Sequence, residues 1–159
     1  MTKDRKLISA SIASHVSTYY RKKGWATHKE VAVEPYGRRR ADMIALNMKG
    51  GVIVCELKSC WADYSSDKKM HNYLPHCNFM YICATPEVAK RIKEHLKGRP
   101  ELKNVGVMSV DIDKKWGTTV RVIKRTGPRN PVKGEIKRKI ITRIAFRCGI
   151  DHRFVGGNL

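Results

Sequence analysis

The sequence predicts a mixed α/β domain in which helices flank a central β-sheet. The length of 159 residues suits one domain with its own core, and 42% of the residues are hydrophobic, as in globular proteins. Apolar runs of strand length alternate with amphipathic stretches of helical length. The predicted order is α-β-β-β-α-β-α-β-β, followed by a basic C-terminal helix.

The N-terminal half predicts one helix and a three-stranded meander. Apolar residues recur at helical spacing in the first segment, and a short alternating stretch then predicts a strand. The third strand follows a Gly-Gly turn and is rich in β-branched residues, which makes it the strongest strand signal in the chain. These four elements are predicted at residues 4–22, 30–34, 41–47 and 52–57.

The second half predicts three further strands and three helices. A polar segment with few apolar anchors predicts a helix, and a Thr-Pro-Glu start at residues 85–87 predicts another. The helices are predicted at residues 61–73, 88–97 and 135–148, and the strands at residues 79–84, 105–110 and 118–123. On the last helix, Ile136, Ile140, Ile141, Ile144 and Ala145 are predicted to face inward.

The C-terminal third differs from the rest in charge. Residues 121–153 contain eleven Lys or Arg and only two acidic residues. We therefore divide the chain into a core domain, residues 1–123, and a basic loop, helix and tail, residues 124–159. This second part is expected to pack on the core or to extend it.

The net charge of +19 predicts a polyanionic partner, and nucleic acid is the leading candidate. An anionic membrane is the rival, but the sequence contains no apolar run of spanning length and no signal peptide. We therefore expect a cytoplasmic protein of a bacterial or phage-infected cell. Five cysteines without a C-x-x-C pair predict reduced thiols rather than a zinc site or a disulfide framework.

Acidic residues on a protein that binds phosphate need an explanation, because each one repels the ligand. Asp42 lies on the second predicted strand, and Glu56 lies at the end of the third, on the same face as Lys58. A hairpin between these strands lets the two carboxylates converge, although the sequence leaves the register open. Clustered carboxylates bind Mg²⁺, which turns a repulsive patch into one that attracts phosphate.

The pattern Glu-x-Lys alone has little value, because it occurs three times in this lysine-rich chain. Glu101 follows a proline in a connection, and Glu135 opens a helix, where an acidic residue favours the helix dipole. Only Glu56 ends a hydrophobic strand with an aspartate one hairpin upstream.

The segment Arg39-Arg40-Ala41-Asp42, followed by Glu56-Leu57-Lys58-Ser59, resembles the signature of the PD-(D/E)XK nucleases. The likeness is closer to the MmcB family of DNA repair proteins, and it covers about residues 30–95. The other matching positions are Asp63, Asp67, Lys68 and Tyr73. The resemblance implies a restriction-endonuclease-like fold with an αβββαβ core.

The resemblance also implies the chemistry. Asp42, Glu56 and the backbone carbonyl of Leu57 are expected to bind Mg²⁺, for which Mn²⁺ is expected to substitute. Glu34 is a further candidate ligand, as is Glu30 on the same predicted strand. Lys58 is expected to orient the attacking water, and a depressed pKa would let it act as a base. The expected DNA contacts in the matching region are Arg39, Arg40, Ser59 and Lys68. In the C-terminal third, which the resemblance does not cover, the positive charge predicts further contacts at Lys124, Arg125, Arg129, Lys139, Arg143 and Arg147.

Two functional hypotheses follow from the sequence. The first is a Mg²⁺-dependent endodeoxyribonuclease, a hydrolase of DNA phosphodiester bonds in repair, recombination or phage DNA processing. The second is a basic DNA-binding protein without catalysis, on a degenerate nuclease fold. No small-molecule cofactor or membrane is expected, and a homodimer, the choice between endo- and exonuclease, and the roles of Asp63 and Asp67 stay open.

Overall fold

The computed structural model describes residues 3–34 and 38–149, which form a six-stranded sheet with helices on both faces. The helices are α1 (Lys3–Arg21), α2 (Trp61–Ser66), α3 (Pro86–His95) and α4 (Gly134–Gly149). The strands are β1 (Ala26–Ala32), β2 (Arg40–Leu46), β3 (Val52–Lys58), β4 (Phe79–Ala84), β5 (Gly106–Val110) and β6 (Val120–Lys124). Short 3₁₀ segments occupy Met70–His76, Leu96–Gly98 and Pro100–Leu102.

The strands lie in the sheet in the same order as in the sequence, β1-β2-β3-β4-β5-β6. The first three form the predicted antiparallel meander. β3, β4 and β5 are parallel neighbours, and β6 returns antiparallel to β5. Parallel neighbours need a crossover, which α2 and α3 supply. The predicted mixed sheet with an αβββαβ core and flanking helices is therefore confirmed.

Both faces of β3 are buried, and they belong to two separate cores. Val52 and Val54 contribute to a core that includes residues from α3 and α4, whereas Ile53 and Cys55 contribute to the core beneath α1. This division confirms the predicted period-two alternation of the strand. Because both faces of β3 are covered, its polar residues are found at the C-terminal end of the strand, where Glu56 and Lys58 lie.

Two predicted elements differ from the structure. The first strand begins four residues earlier than predicted, at Ala26. The helix predicted over residues 61–73 is wrong as one element, because α2 ends at Ser66 and a 3₁₀ segment follows after a break. At the break, Asp67 has an extended backbone, and its Oδ1 accepts the N–H of Lys69 at 3.0 Å. An aspartate that bonds the backbone two residues ahead favours a turn over a helix.

The C-terminal helix α4 packs on the same sheet as the preceding elements. Ile140 and Ile144 are buried in the core that contains β1 and β3, and Ile136 packs against it. The prediction that Ile141 and Ala145 face inward is wrong, because both are exposed. The division at residue 123 remains a prediction, and residues 150–159 of the predicted tail lie outside the described residues. Within those described, no helix combines the length and apolarity needed to cross a bilayer.

Candidate active site

The ends of β2 and β3 bring the two predicted carboxylates together. The ladder between these strands ends at the pair Met43–Cys55, so that Asp42 and Glu56 come next on the two strands. Beyond that pair, the N–H of Asp42 donates to Glu56 Oε1 at 3.3 Å, and the N–H of Leu57 donates to Asp42 Oδ2 at 2.8 Å. Each carboxylate is therefore oriented by the backbone of the opposite strand.

A backbone irregularity in β1 lies next to these carboxylates. The β1–β2 ladder pairs the residues on either side of Glu30 but not Glu30 itself. Glu30 has a φ of 55°, a left-handed conformation that costs energy for a residue with a side chain. Its carboxylate pairs with Arg40 at 2.8 Å, and its side chain lines the same cleft as Asp42.

The segment after β3 holds Lys58 and Ser59 through two aspartates. Lys58 is 5% exposed, and its Nζ donates to Asp67 Oδ2 at 2.7 Å. Ser59 donates both its N–H and its hydroxyl to Asp63 Oδ2, at 3.1 and 3.2 Å. The break after α2 thus has a structural consequence, because it leaves Asp67 where it can bond the Lys58 ammonium.

These groups line one cleft of about 450 Å³ between α1 and the ends of the meander strands. Ser9, Ala10 and Ala13 of α1 form its other wall. Five carboxylates line the cleft, against only two ammonium groups, in a chain whose net charge is +19. The cleft is therefore a local anionic region in a cationic protein. Its acidic residues are Glu30, Asp42, Glu56, Asp63 and Asp67, and its basic residues are Lys29 and Lys58.

Burial and mutual repulsion raise the pKa values of the two carboxyl groups that meet across β2 and β3. Burial, followed by repulsion from Asp42, raises the pKa of Glu56 to about 8, even though Lys58 opposes the shift. Burial likewise raises the pKa of Asp42, against the opposing effects of the Leu57 N–H and Lys58. A bound cation would reverse both shifts, because it favours the charged form of its ligands.

Lys58 keeps its proton in this setting. Burial is the largest single influence and lowers the pKa of the ammonium, but Asp67, Glu56 and Asp63 together outweigh it, so that the pKa is raised. The depressed pKa that would suit a general base is therefore absent. The geometry favours a charged ammonium that contacts an anion or a water molecule over one that removes a proton.

The donor set of the cleft fits a hydrated Mg²⁺ ion. Among residues 3–34 and 38–149, no three His, Cys, Asp or Glu side chains come together as one ligand group. Asp42 and Glu56 supply two carboxylates, and Mg²⁺ is commonly held by one or two carboxylates while keeping several water molecules. Both carboxylates are hard oxygen donors, and both have raised pKa values that a cation would relieve.

Glu34, the further candidate ligand, does not line the cleft. It pairs with Arg39, and His76 Nε2 lies 3.6 Å from the same carboxylate oxygen. The prediction that Glu34 is a metal ligand therefore finds no support in the geometry. Glu30, the acidic residue of β1, does line the cleft, and its repulsion contributes to the raised pKa of Asp42.

The predicted DNA-contacting residues divide into those bonded within the protein and those exposed. Three that were predicted as phosphate contacts instead donate to backbone carbonyls. Lys124 Nζ lies 2.8 and 2.5 Å from the carbonyls of Lys103 and Val105. Arg143 donates to the carbonyl of Ala32 at 3.1 Å, and Arg147 donates to those of Lys29 and Glu30 at 2.8 and 2.6 Å.

Four of the remaining predicted contacts are also bonded to side chains of the protein, and one of them, Ser59, is buried. Arg39 and Arg40 pair with glutamates, Ser59 bonds Asp63, and Lys139 pairs with Glu135 one turn earlier on α4. Lys68, Arg125 and Arg129 are exposed. These three lysine and arginine side chains are the predicted contacts most accessible to a phosphate backbone.

Several cleft residues were missed by the sequence analysis. The three α1 residues that line the cleft could not be predicted, because small side chains such as those of Ser9, Ala10 and Ala13 form no recognisable functional pattern in the sequence. Lys29 lies in the part of β1 that was not predicted as strand. The role of Asp67 as the partner of Lys58 had one available signal, an Asp-Lys-Lys sequence that interrupts the helical pattern.

The family model of the MmcB-like DNA repair proteins matches residues 3–98, and the chain belongs to this family. The match contains every residue of the cleft and leaves β5, β6 and α4 outside it. Membership indicates a DNA-related role.

The fold is also similar to a solved structure, the SPO1766 protein of unknown function from Silicibacter pomeroyi. The TM-score is 0.73 at 20% sequence identity, over 89% of this chain and 86% of that chain. At this identity the likeness shows the fold alone. No curated protein matches the sequence.

Proposed function

We propose that the protein is a Mg²⁺-dependent nuclease that hydrolyses DNA phosphodiester bonds. The observation that carries the proposal is the reciprocal bonding of Asp42 and Glu56 across β2 and β3, with Lys58 in the same cleft. A protein that only held DNA would gain nothing from five carboxylates on the surface of a cleft, because each repels phosphate. A bound cation removes that contradiction.

The proposed metal ligands are Asp42, Glu56 and the backbone carbonyl of Leu57. When bound there, Mg²⁺ would supply a Lewis acid for the scissile phosphate and lower the pKa of a bound water. The backbone N–H groups that hold one oxygen of each carboxylate orient the two side chains before any ion arrives. The protein thus provides a preorganised pair of ligands.

The proposed role of Lys58 is electrostatic. Its protonated ammonium, held by Asp67, would contact the scissile phosphate or the attacking water and offset the negative charge that develops as the water adds. Asp67 is a positioning residue, since it acts through Lys58. Asp63 fixes the backbone after β3 through Ser59, which keeps the lysine at the edge of the cleft.

The decisive experiment separates cleavage from binding. The purified protein is incubated with linear, nicked and branched DNA and with Mg²⁺ or Mn²⁺, and DNA affinity is measured in parallel in a chelator. Asp42→Asn is expected to lose at least a thousandfold in cleavage rate while retaining DNA affinity, because it removes a ligand charge but no phosphate contact. The matched control is Asp4→Asn, an exposed aspartate outside the cleft.

Two results would contradict the proposal. Equal cleavage by the wild type and Asp42→Asn would assign the activity to another protein in the preparation. Tight DNA binding with no cleavage on any of the substrates would favour the second hypothesis, a non-catalytic DNA-binding protein on a nuclease fold.

A further inference from the structure

Trp116 is a large aromatic side chain held out into solvent. It is 85% exposed and lies in the connection between β5 and β6, beyond the part of the chain that the family model matches. Tryptophan normally buries much of its surface, so an exposed one is an unfavourable arrangement that suggests an interaction. The nuclease cleft does not use it, because Trp116 is not among the lining residues.

The base of this connection is fixed to the body of the protein. The N–H of Asp111 donates to the carbonyl of Thr119 at 2.8 Å, which closes the loop. The hydroxyl of Thr119 also bonds His15 of α1 at 3.1 Å. Gly117, with a φ of 80°, makes the turn directly after Trp116. The tryptophan is therefore presented from a loop that is bonded at its base to β5, β6 and α1.

The surroundings of Trp116 are cationic. A second cavity, of about 270 Å³, lies between the C-terminal half of α1 and residues 117–120. Its lining includes Lys22, Lys23 and Tyr19, and none of the described residues that line it is acidic. Two further lysines precede Trp116 directly in the sequence, and both are exposed. Asp111 and Asp113 lie earlier in the same connection, so that these four lysines outnumber its two acidic residues. The ammonium of Lys23 lies 4.8 Å from the centre of the Tyr19 ring.

An exposed aromatic ring among lysines has the chemistry of a site for single-stranded nucleic acid. Stacking on an aromatic side chain needs an open base face, and lysines contact the phosphates on either side. In a duplex the base faces are covered by neighbouring base pairs, so only an unpaired or terminal base can stack. A protein partner would be expected to find a broader apolar surface than one aromatic ring surrounded by charges.

We propose that the β5–β6 loop and the end of α1 bind single-stranded DNA, with Trp116 stacked on an unpaired base and Lys22 and Lys23 against the adjacent phosphates. The inference rests on the proposed function for the identity of the polymer. The two cavities share no lining residue, so that a strand held at Trp116 is bound outside the nuclease cleft. The protein would then favour DNA with an unpaired segment.

The test compares affinities for single-stranded and duplex DNA in a chelator, so that no cleavage is needed. The probes are a fluorescently labelled oligodeoxythymidylate of about 12 nucleotides and a duplex of the same length. Trp116→Ala is expected to lose roughly fivefold to a hundredfold in affinity for the single strand and less than twofold for the duplex. Trp116→Phe, which keeps a ring, should recover most of the loss.

The matched control is Met48→Ala, which removes an equally exposed apolar side chain, 99% accessible, in the β2–β3 connection. It should bind both probes as the wild type does. Unchanged single-strand affinity of Trp116→Ala, an equal loss for both probes, or no single-strand binding by the wild type would each overturn the inference. A failure of the nuclease proposal is seen separately, as loss of DNA cleavage with single-strand selectivity intact.

Discussion

The tripeptide Glu-Leu-Lys occurs twice in this chain, at residues 56–58 and at residues 101–103, and although the leucine is buried in both copies, the glutamate and the lysine differ in burial and in partners. The first ends the central strand β3, and the second spans a 3₁₀ turn and the residue after it. Glu56 is 3% exposed, whereas Glu101 is exposed to solvent. Lys58 is buried against Asp67, whereas Lys103 is exposed.

The pKa values of the two glutamates are also shifted in opposite directions. Burial raises the pKa of Glu56, whereas a hydrogen bond from Arg99 lowers the pKa of Glu101. The same three residues thus contribute a buried carboxyl group and a buried ammonium to a cluster of acidic residues in one place, and in the other a surface glutamate that pairs with Arg99. The difference comes from the strand that carries the first copy and from Asp42 on the neighbouring strand. A short motif acquires chemistry only through such neighbours.

Replacing the lysine of each copy should give the largest contrast. Lys58→Ala is expected to lower the rate of DNA cleavage by at least a hundredfold, because it removes the positive charge beside the proposed metal ligands. Lys103→Ala should stay within twofold of the wild type. The measurement is single-turnover cleavage at saturating Mg²⁺, and a comparable loss in both variants would mean that the motif at β3 has no special role.

Of the two Glu-Leu-Lys copies, only the first should make metal affinity depend on pH, because only Glu56 is a proposed ligand. Because the pKa of Glu56 is about 8 in the metal-free protein, a cation must displace a proton at neutral pH. Affinity for Mn²⁺ is therefore expected to rise by up to tenfold per pH unit below pH 8 and to level off above it. Calorimetric titration of the wild type between pH 6 and 9 measures this.

The controls for that titration are Glu56→Gln and Glu101→Gln. The first should lose most of the metal affinity together with its dependence on pH. The second should behave as the wild type, since Glu101 lies outside the cleft. Retention of the full pH dependence in Glu56→Gln would assign the proton to another group.

In the metal-free protein, replacing Glu56 should increase stability, although the same replacement should weaken metal binding. The pKa of Glu56 is higher in the folded than in the unfolded protein, so its contribution to stability is complete below about pH 4 and is lost as the pH rises through 8. Glu56→Gln removes this loss. The variant is therefore expected to exceed the wild type in free energy of unfolding by up to about 5 kcal/mol at pH 8.5, with little difference at pH 4.

Urea unfolding in a chelator at both pH values measures this effect. Glu101→Gln should show no resolvable change at either pH, because its carboxylate is solvated. A stabilisation by Glu56→Gln that is the same at both pH values would point to packing, not to charge.

Much of the fold could be predicted because the buried strands carry their own signal. The apolar runs at β3 and β4 place both strands almost to the residue. The start of β1 could not be placed, since its first residues, Ala-Thr-His-Lys, lie at the sheet edge and show no apolar alternation. An edge strand is specified largely by its one neighbour, and its pattern is correspondingly weak.

The site divides in a similar way. Asp42 and Glu56 could be named from hairpin geometry, although only the observed register sets them opposite each other. The partners of Arg143 and Arg147 could not be foreseen, because they are carbonyls of β1 more than one hundred residues away in sequence. A basic helix predicts phosphate contacts by composition alone, and tertiary packing decides which of its side chains remain available.

The smallest expected effect concerns Asp67, the neighbour that the second Glu-Leu-Lys copy lacks. Asp67→Asn leaves the Lys58 ammonium in place but removes the charge that does most to raise its pKa, so burial becomes the stronger influence and the pKa falls. We expect a loss of about fivefold to tenfold in cleavage rate near pH 7 and an alkaline limb of the pH–rate profile that moves to lower pH. Asp63→Asn, which bonds Ser59 instead, should shift the limb less. A lower rate with an unmoved alkaline limb would mean that Asp67 supports the fold and does not act through the ammonium.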